Sequence, residues 1–469
     1  MQLVWFRQDL RLVDHPALSR ACRLARQRGE AVEAVFVISP AQWARHHMAP
    51  VRQAFLLARL DVLGAELARL GIRLHCLRVD WFVEIPTALQ QLVQARGATA
   101  LHALTASEHD ERGRDADVQR ALQIPCNFYA GDCVFAPGTL LTGKGEAYRV
   151  FTPFSRAWLK TLAQEGFSLL PIPQAVGAPL PWQPLALPAP SPGLAAMLAP
   201  WPVDEGAAEA RLQAFVAEDL LAYPQCRDLP AVPGTARLSA YLAAGILSPN
   251  QCLAALLAQL GQLPLAQGAP GFAWLNELIW REFYRHLLVL LPRLSRDQPF
   301  NLATRQLAWR QDAADFAAWC QGQTGFPIVD AAMRCLKQTG WLHNRLRMVV
   351  ASFLTKDLLI SWRWGEDYFM SQLIDGDLAA NNGGWQWAAS TGADAAPYFR
   401  VFNPTTQGQR FDPDGDFIRR WLPELARVPG AHIHRPHAWL DAHGLAGIYP
   451  LPRVDHAQAR LAAIALFKG

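Results

Sequence analysis

The sequence predicts an α/β domain followed by an all-α domain, joined by a long linker. Three observations carry that reading. Up to about residue 130, five short apolar β-rich runs alternate with longer amphipathic ones; between residues 171 and 202 there are ten prolines; from 203 to 469 the apolar spacing is helical almost throughout. The domains are therefore 1–130, a linker over 131–202, and a helical domain over 203–469.

The β-rich runs are residues 3–6, 32–38, 73–77, 99–104 and 124–129. Helices fill the gaps, including 16–28, opened by a proline in its first turn, and 51–70. A doubly wound parallel five-strand sheet follows from this alternation. No GxGxxG follows the first strand, so this sheet need not hold a nucleotide. Residues 131–202 read as a connector, and the prolines bar helix and strand interiors over 171–202, which is expected to run extended along the surface. The helical part shows amphipathic segments at 238–260, 273–291, 328–337, 345–360 and 368–379.

Composition excludes several classes. The 469 residues are 51% hydrophobic and 18% charged, which rules out disorder. Eight scattered cysteines form no CxxC, as expected of reduced thiols in a cytosolic protein, and no metal-ligand pattern is read. The N-terminus lacks a signal-peptide pattern, and no apolar run is long enough to span a bilayer. A net charge of +4 is too small to mark a nucleic-acid binder, so any phosphate-binding surface must be local. The anomaly is tryptophan: 17 in all, 11 of them between Trp274 and Trp439, more than a core needs and useful for stacking rings or moving electrons.

Three segments carry candidate chemistry. Residues 274–284 place Glu277, Trp280, Arg281 and Tyr284 on one helical stripe, opposite Leu275, Leu278, Ile279 and Phe283. Residues 374–387 pack Asp375, Asp377, Asn381, Asn382, a glycine pair, Trp385 and Trp387 into 14 positions. Asp377 and Asn381 share a helical face, and the glycine pair is expected to end the helix. Residues 234–245 open a helix with Thr235 as candidate cap and Arg237 and Ser239 close behind, an arrangement suited to a pyrophosphate.

With these residues, the chain resembles the photolyase/cryptochrome family, most closely its bacterial class I members that repair cyclobutane pyrimidine dimers. The resemblance starts in residues 3–12 (LVWFRQDLRL), passes through 150–154 (VFTPF) and the 274–284 helix, and is densest from 340 to 404. It implies an N-terminal α/β domain, a linker, and a helical domain that binds FAD.

Carried over by position, Thr235, Ala236, Arg237, Leu238 and Ser239 would hold the FAD phosphates, Tyr223 and Trp274 would help enclose the cofactor, and Asp375, Gly376 and Asp377 would contact it further in. Ala236 stands where relatives often have serine. Asn381 corresponds to the residue opposite flavin N5, where a neutral amide favours the anionic reduced flavin. Light-excited reduced flavin would donate an electron to a dimer flipped out of the duplex, as the family is known to do. Trp280 and Trp387 would stack on the lesion, Glu277 and Asn344 would bond its base edges, and Arg281, Arg345 and Arg227 would clamp flanking phosphates. Trp385, Trp362 and Trp309 match the relay that photoreduces an oxidised flavin.

The alternatives are a blue-light receptor and a (6-4) photolyase. Asn344 and Met348 stand where (6-4) enzymes carry histidines, which favours dimer repair. His46, Asp110 and Glu111 match positions that hold a methenyltetrahydrofolate antenna, with Ser295 and Arg296 replacing a cysteine and a lysine. The partner expected is DNA containing pyrimidine dimers, acted on by a cytoplasmic, nucleoid-associated monomer without an obligate protein partner.

Overall fold

The computed structural model describes residues 1–468. Its five strands lie where the β-rich runs predict them: β1 Gln2–Phe6, β2 Val32–Ile38, β3 Arg73–Arg78, β4 Ala100–Leu104 and β5 Cys126–Tyr129. All pair in parallel, in the order β3-β2-β1-β4-β5. The order reverses between β1 and β4, the point where doubly wound sheets take ligands at their strand C-termini. The Arg7 guanidinium lies 4.6 Å from the buried Trp5 ring and is bonded to Asp115, and Arg114 lies 4.8 Å from the same ring.

Contacts group the chain into two compact units that do not follow chain order. The first is Met1–Leu221, Ala236–Arg296 and Asp375–Ala379, and the second is Ala222–Thr235, Asp297–Ile374 and Ala380–Gly469. In the first, Leu3, Trp5, Val35, Leu89, Leu101 and Val118 build a core on one face of the sheet. In the second, helices Pro327–Thr339, Asn344–Ser352 and Trp362–Gln372 pack around Met333, Leu346, Phe353, Trp362 and Trp385.

Three helical expectations are corrected. Residues 238–260 are two helices, Ser239–Ala244 and Pro249–Leu260. Gly245 breaks them at φ 66°, and a side chain there would collide with the backbone of Gln8 and Asp9. Ser248 restarts the chain through a capping box with Gln251, and Pro249 takes the first turn. Residues 368–379 are likewise interrupted, since one helix ends at Gln372 and the next begins at Leu378. The connector holds two helices, Phe151–Glu165 and Pro192–Leu198, the latter with Pro192 in its first turn. Between them the proline-rich run is extended, and it is pinned to helix Pro50–Arg69: Trp182 packs on Gly64 and donates to Asp61 at 3.2 Å.

Candidate active site

The helix Phe272–Leu290 presents the two predicted stripes. Leu275, Leu278, Ile279 and Phe283 are buried, while Glu277, Trp280, Arg281 and Tyr284 are half-buried. Trp280 stacks on Phe151, with ring centroids 3.7 Å apart and planes 6° from parallel. This holds its indole as a rigid, partly open wall. Trp274 is buried against Phe215.

The same helix carries a third set that sequence reasoning missed: Glu282, Arg285 and His286, all buried. Glu282 accepts from Val134 and Phe135 backbone N–H groups at 3.0 and 2.9 Å, and His286 accepts from Gly138 N–H at 3.1 Å. Arg285 donates to both Asp132 and Asp377. Arg281 joins it, donating to the Asp132 carboxylate and, at 2.6 Å, to the Asp132 carbonyl. Burial pushes the Asp132 carboxyl up, but Arg281 and Arg285 outweigh it and hold it at about 2. Burial lowers Arg285, and Asp132 and Asp377 more than reverse that. Arg281, expected as a phosphate clamp, is thus already committed to a carboxylate, as is Arg345, which donates to Asp228 at 2.8 Å and lies 4.5 Å from the Phe411 ring.

The expected helix end at the glycine pair is corrected. Helix Leu378–Ala388 runs straight through Gly383 and Gly384, so Asn381, Trp385 and Trp387 share one rigid element. Asp375 and Gly376 are buried just ahead of it. Asn381 donates its amide N–H to the Glu366 carbonyl at 3.0 Å, which leaves its Oδ1 as the end available to a ligand. Next to it, Gln386 donates to Asn382, and Asn382 donates to the buried Glu366 carboxyl, both at 2.9 Å. Burial pushes Glu366 up to about 8, so it is neutral at pH 7. The Trp385 ring lies directly on Gly365, where any side chain would displace it, with Phe369 at 5.0 Å and Trp319 at 6.0 Å. Trp362 is buried under Arg363, whose guanidinium is 4.8 Å from its ring, and Trp309 is half-buried. Trp387 is half-buried beside Phe402.

Thr235 is not a helix cap. The helix starts at Ser239 after Leu238, whose side chain makes no cap bond, because Arg237 takes a left-handed φ of 48° and turns the chain first. Tyr223 is buried, with the Arg227 guanidinium 5.5 Å from its ring. In the second unit Asn344 is exposed at the first turn of its helix, capped by His343, and Met348 is half-buried one turn on.

The three antenna candidates do come together. His46 lies 3.2 Å from Asp110 and 3.5 Å from Glu111, with Phe82 packed edge-on against its ring. Burial pushes neighbouring Glu108 up to about 7, assisted by Glu111 and Asp377. Ser295 Oγ and Arg52 Nη1 are among the buried polar atoms that find no hydrogen-bond partner among the described residues. Orphaned polar atoms of this kind fit a bound polar ligand.

A family profile described as DNA photolyase matches residues 2–176, and one described as the FAD binding domain of DNA photolyase matches residues 274–469. The chain belongs to the DNA photolyase family. This photolyase is 50% identical to the deoxyribodipyrimidine photo-lyase of Salmonella typhimurium and to that of Escherichia coli, in each case over 99% of this chain and 98% of the relative. Its fold matches the crystal structure of a bacterial class III photolyase from Agrobacterium tumefaciens with a TM-score of 0.84 and 35% identity, covering 100% of this chain and 97% of the other. Among the described residues of this photolyase, no helix is long and apolar enough to cross a membrane.

Proposed function

We infer that this photolyase binds DNA containing cyclobutane pyrimidine dimers and splits them in the light. The observation that carries this reading is the set Glu277, Trp280 and Arg281 on one helical stripe; separately, the Asn381 amide N–H is engaged by the Glu366 carbonyl, so that what Asn381 would offer a cofactor is a neutral carbonyl oxygen rather than an acid. FAD, when bound and reduced, supplies on illumination one electron that opens the cyclobutane ring and is then returned.

The chain's own residues do the rest. Residues 235–239, Tyr223, Trp274 and 375–377 bind the cofactor, and Arg285 donates to Asp377 and fixes its carboxyl in place. Asn381 Oδ1 would accept a hydrogen bond from the flavin, and the amide offers no acidic proton. Trp280, stiffened by Phe151, and Trp387 stack on the flipped dimer and exclude water. Glu277 and Asn344 bond its base edges, with Met348 as an apolar neighbour. Arg227, Arg281 and Arg345 contact phosphates, each leaving or sharing its present partner to do so. Asn344 and Met348 offer no imidazole for (6-4) chemistry.

His46, Asp110 and Glu111 bind a folate antenna, with Ser295 Oγ as a further donor. The domain scheme is 1–130 for the antenna part, 131–202 for the linker and 203–469 for the catalytic part, in a cytoplasmic monomer.

The deciding experiment reduces the flavin, adds ultraviolet-irradiated oligothymidine and follows dimers under blue light against a dark control. Light-dependent loss supports the reading. No loss, with FAD bound and reduced, overturns it in favour of a photoreceptor or (6-4) enzyme. Glu277→Ala removes a carboxyl hydrogen-bond partner of the lesion, so repair per absorbed photon at saturating dimer should fall by roughly tenfold. An unchanged yield removes Glu277 from the mechanism.

A further inference from the structure

We propose that Lys356 is a positioning residue for the relay, an ionisable cation that sets how readily Trp309 holds the positive charge left when its electron is withdrawn. The proposal rests on the reading of Trp385, Trp362 and Trp309 as a relay.

Lys356 lies in a π-helical turn, Phe353–Asp357, and is fully buried. Such turns push a side chain out of helical register, often at functional sites. Its ammonium donates to Ser390 Oγ at 2.8 Å and lies 3.9 Å from the centroid of the Phe467 ring. Ser390 in turn donates to the Ala396 carbonyl and holds a left-handed φ of 59°, so its hydroxyl is fixed as an acceptor for the lysine. Among the described residues no carboxylate pairs with Lys356. A hydroxyl and an aromatic face compensate a buried charge poorly. Burial accordingly lowers the lysine to about 7.

The ring under the ammonium connects it to the relay. Phe467 meets Trp309 edge-on at 6.1 Å and stacks with Tyr398 at 6.0 Å. The ammonium is therefore no farther from the Trp309 ring than the 3.9 Å to Phe467 and the 6.1 Å from Phe467 to Trp309 laid end to end. The other charges nearby are already engaged. Asp357 is bonded to His456, Arg310 to Asp312, Asp315 and the Leu358 carbonyl, and Glu366 to Asn382. Arg363 reaches the Asp297 carbonyl and covers Trp362.

These placements give the relay a slope. Arg363 is permanently charged and disfavours a hole on Trp362, which drives the hole on towards Trp309. A charged Lys356 opposes that step, and a neutral one does not. In the step, Trp309 gives one electron to oxidised Trp362, the resulting Trp309 radical cation loses its N–H proton to solvent, and an external thiol, itself oxidised, later returns an electron and a proton. At an effective dielectric of about 20, a unit charge about 10 Å away disfavours the hole on Trp309 by roughly tenfold, and the partition between the two indoles shifts by that factor less whatever the same charge exerts at Trp362.

The test is the rate of photoreduction of the FAD-loaded, oxidised full-length protein with excess thiol between pH 6 and 8.5, with transient absorption reporting the surviving tryptophan radical. In the wild type both should rise several-fold through a midpoint near pH 7, where the lysine loses its charge. In Lys356→Met, which keeps the volume and removes the charge, both should sit at the upper level with no inflection. Repair by dithionite-reduced protein should match wild type, showing that the variant is folded. A flat wild-type profile, or the same inflection in Lys356→Met, overturns the proposal. Trp309→Phe separates the two readings: if it photoreduces like wild type, the relay assignment fails, whereas its loss beside an unmoved Lys356→Met profile overturns the lysine role alone.

Discussion

Trp362→Phe is expected to suppress photoreduction of the oxidised protein by more than about tenfold while leaving dimer repair by chemically reduced protein close to wild type. Phenylalanine fills most of the same volume, and Trp362 is buried in the core of the second unit, so the helix Trp362–Gln372 keeps its place. The phenyl ring is far harder to oxidise than indole, so the relay breaks between Trp385 and Trp309. Repair should survive because the electron that opens the dimer never passes through Trp362. The measurement is paired: flavin bleaching under blue light with thiol, and dimer loss after dithionite reduction. Loss of both would assign Trp362 a structural or binding role. Retention of both would point to another route from Trp385, whose ring neighbours are Trp319 at 6.0 Å and Phe369 at 5.0 Å.

The sheet was legible in the sequence because each strand is a short β-rich run bounded by turns, and every boundary falls within two residues of the expected one. Helix interruptions were less legible. On both sides of Gly245 the apolar spacing continues, and only the backbone of Gln8 and Asp9, far away in sequence, forces the break there. Gly383 and Gly384 misled in the opposite sense. Glycine commonly follows a helix, but here packing of Trp385 and the amide chain through Asn382 outweigh its conformational cost of about 1 kcal/mol per residue. The stripe Glu277, Trp280 and Arg281 was legible because it needs only helical periodicity. Arg285 was not, since its partners Asp132 and Asp377 lie 153 and 92 residues away, and a lone arginine on a helix carries no sign of that. Lys356 was hidden similarly, because helical spacing over residues 345–360 says nothing of a π turn.

Arg285→Met should cost about 3–5 kcal/mol of stability and loosen FAD, because it removes one partner from a buried ionic cluster and leaves Asp132 and Asp377 facing each other's environment without it. The methionine replaces the aliphatic stem, so the loss is electrostatic more than steric. The pH dependence identifies the cause. In the wild type Asp132 is held at about 2, below its ordinary carboxylate value, so its contribution is complete above about pH 4 and is lost only as pH falls towards 2. Without Arg285, the burial that already pushes Asp132 upward is opposed by Arg281 alone, its folded-state pKa rises, and that acid-side contribution shrinks or reverses. Denaturant unfolding at pH 7 and pH 4 should therefore show a larger difference between variant and wild type at the higher pH. Flavin fluorescence released on dilution should rise in parallel, since Asp377 loses the guanidinium that holds it in place for the cofactor. An equal loss of stability at both pH values would mean that Arg285 acts through packing, and tight flavin retention in the variant would separate Asp377 from cofactor binding.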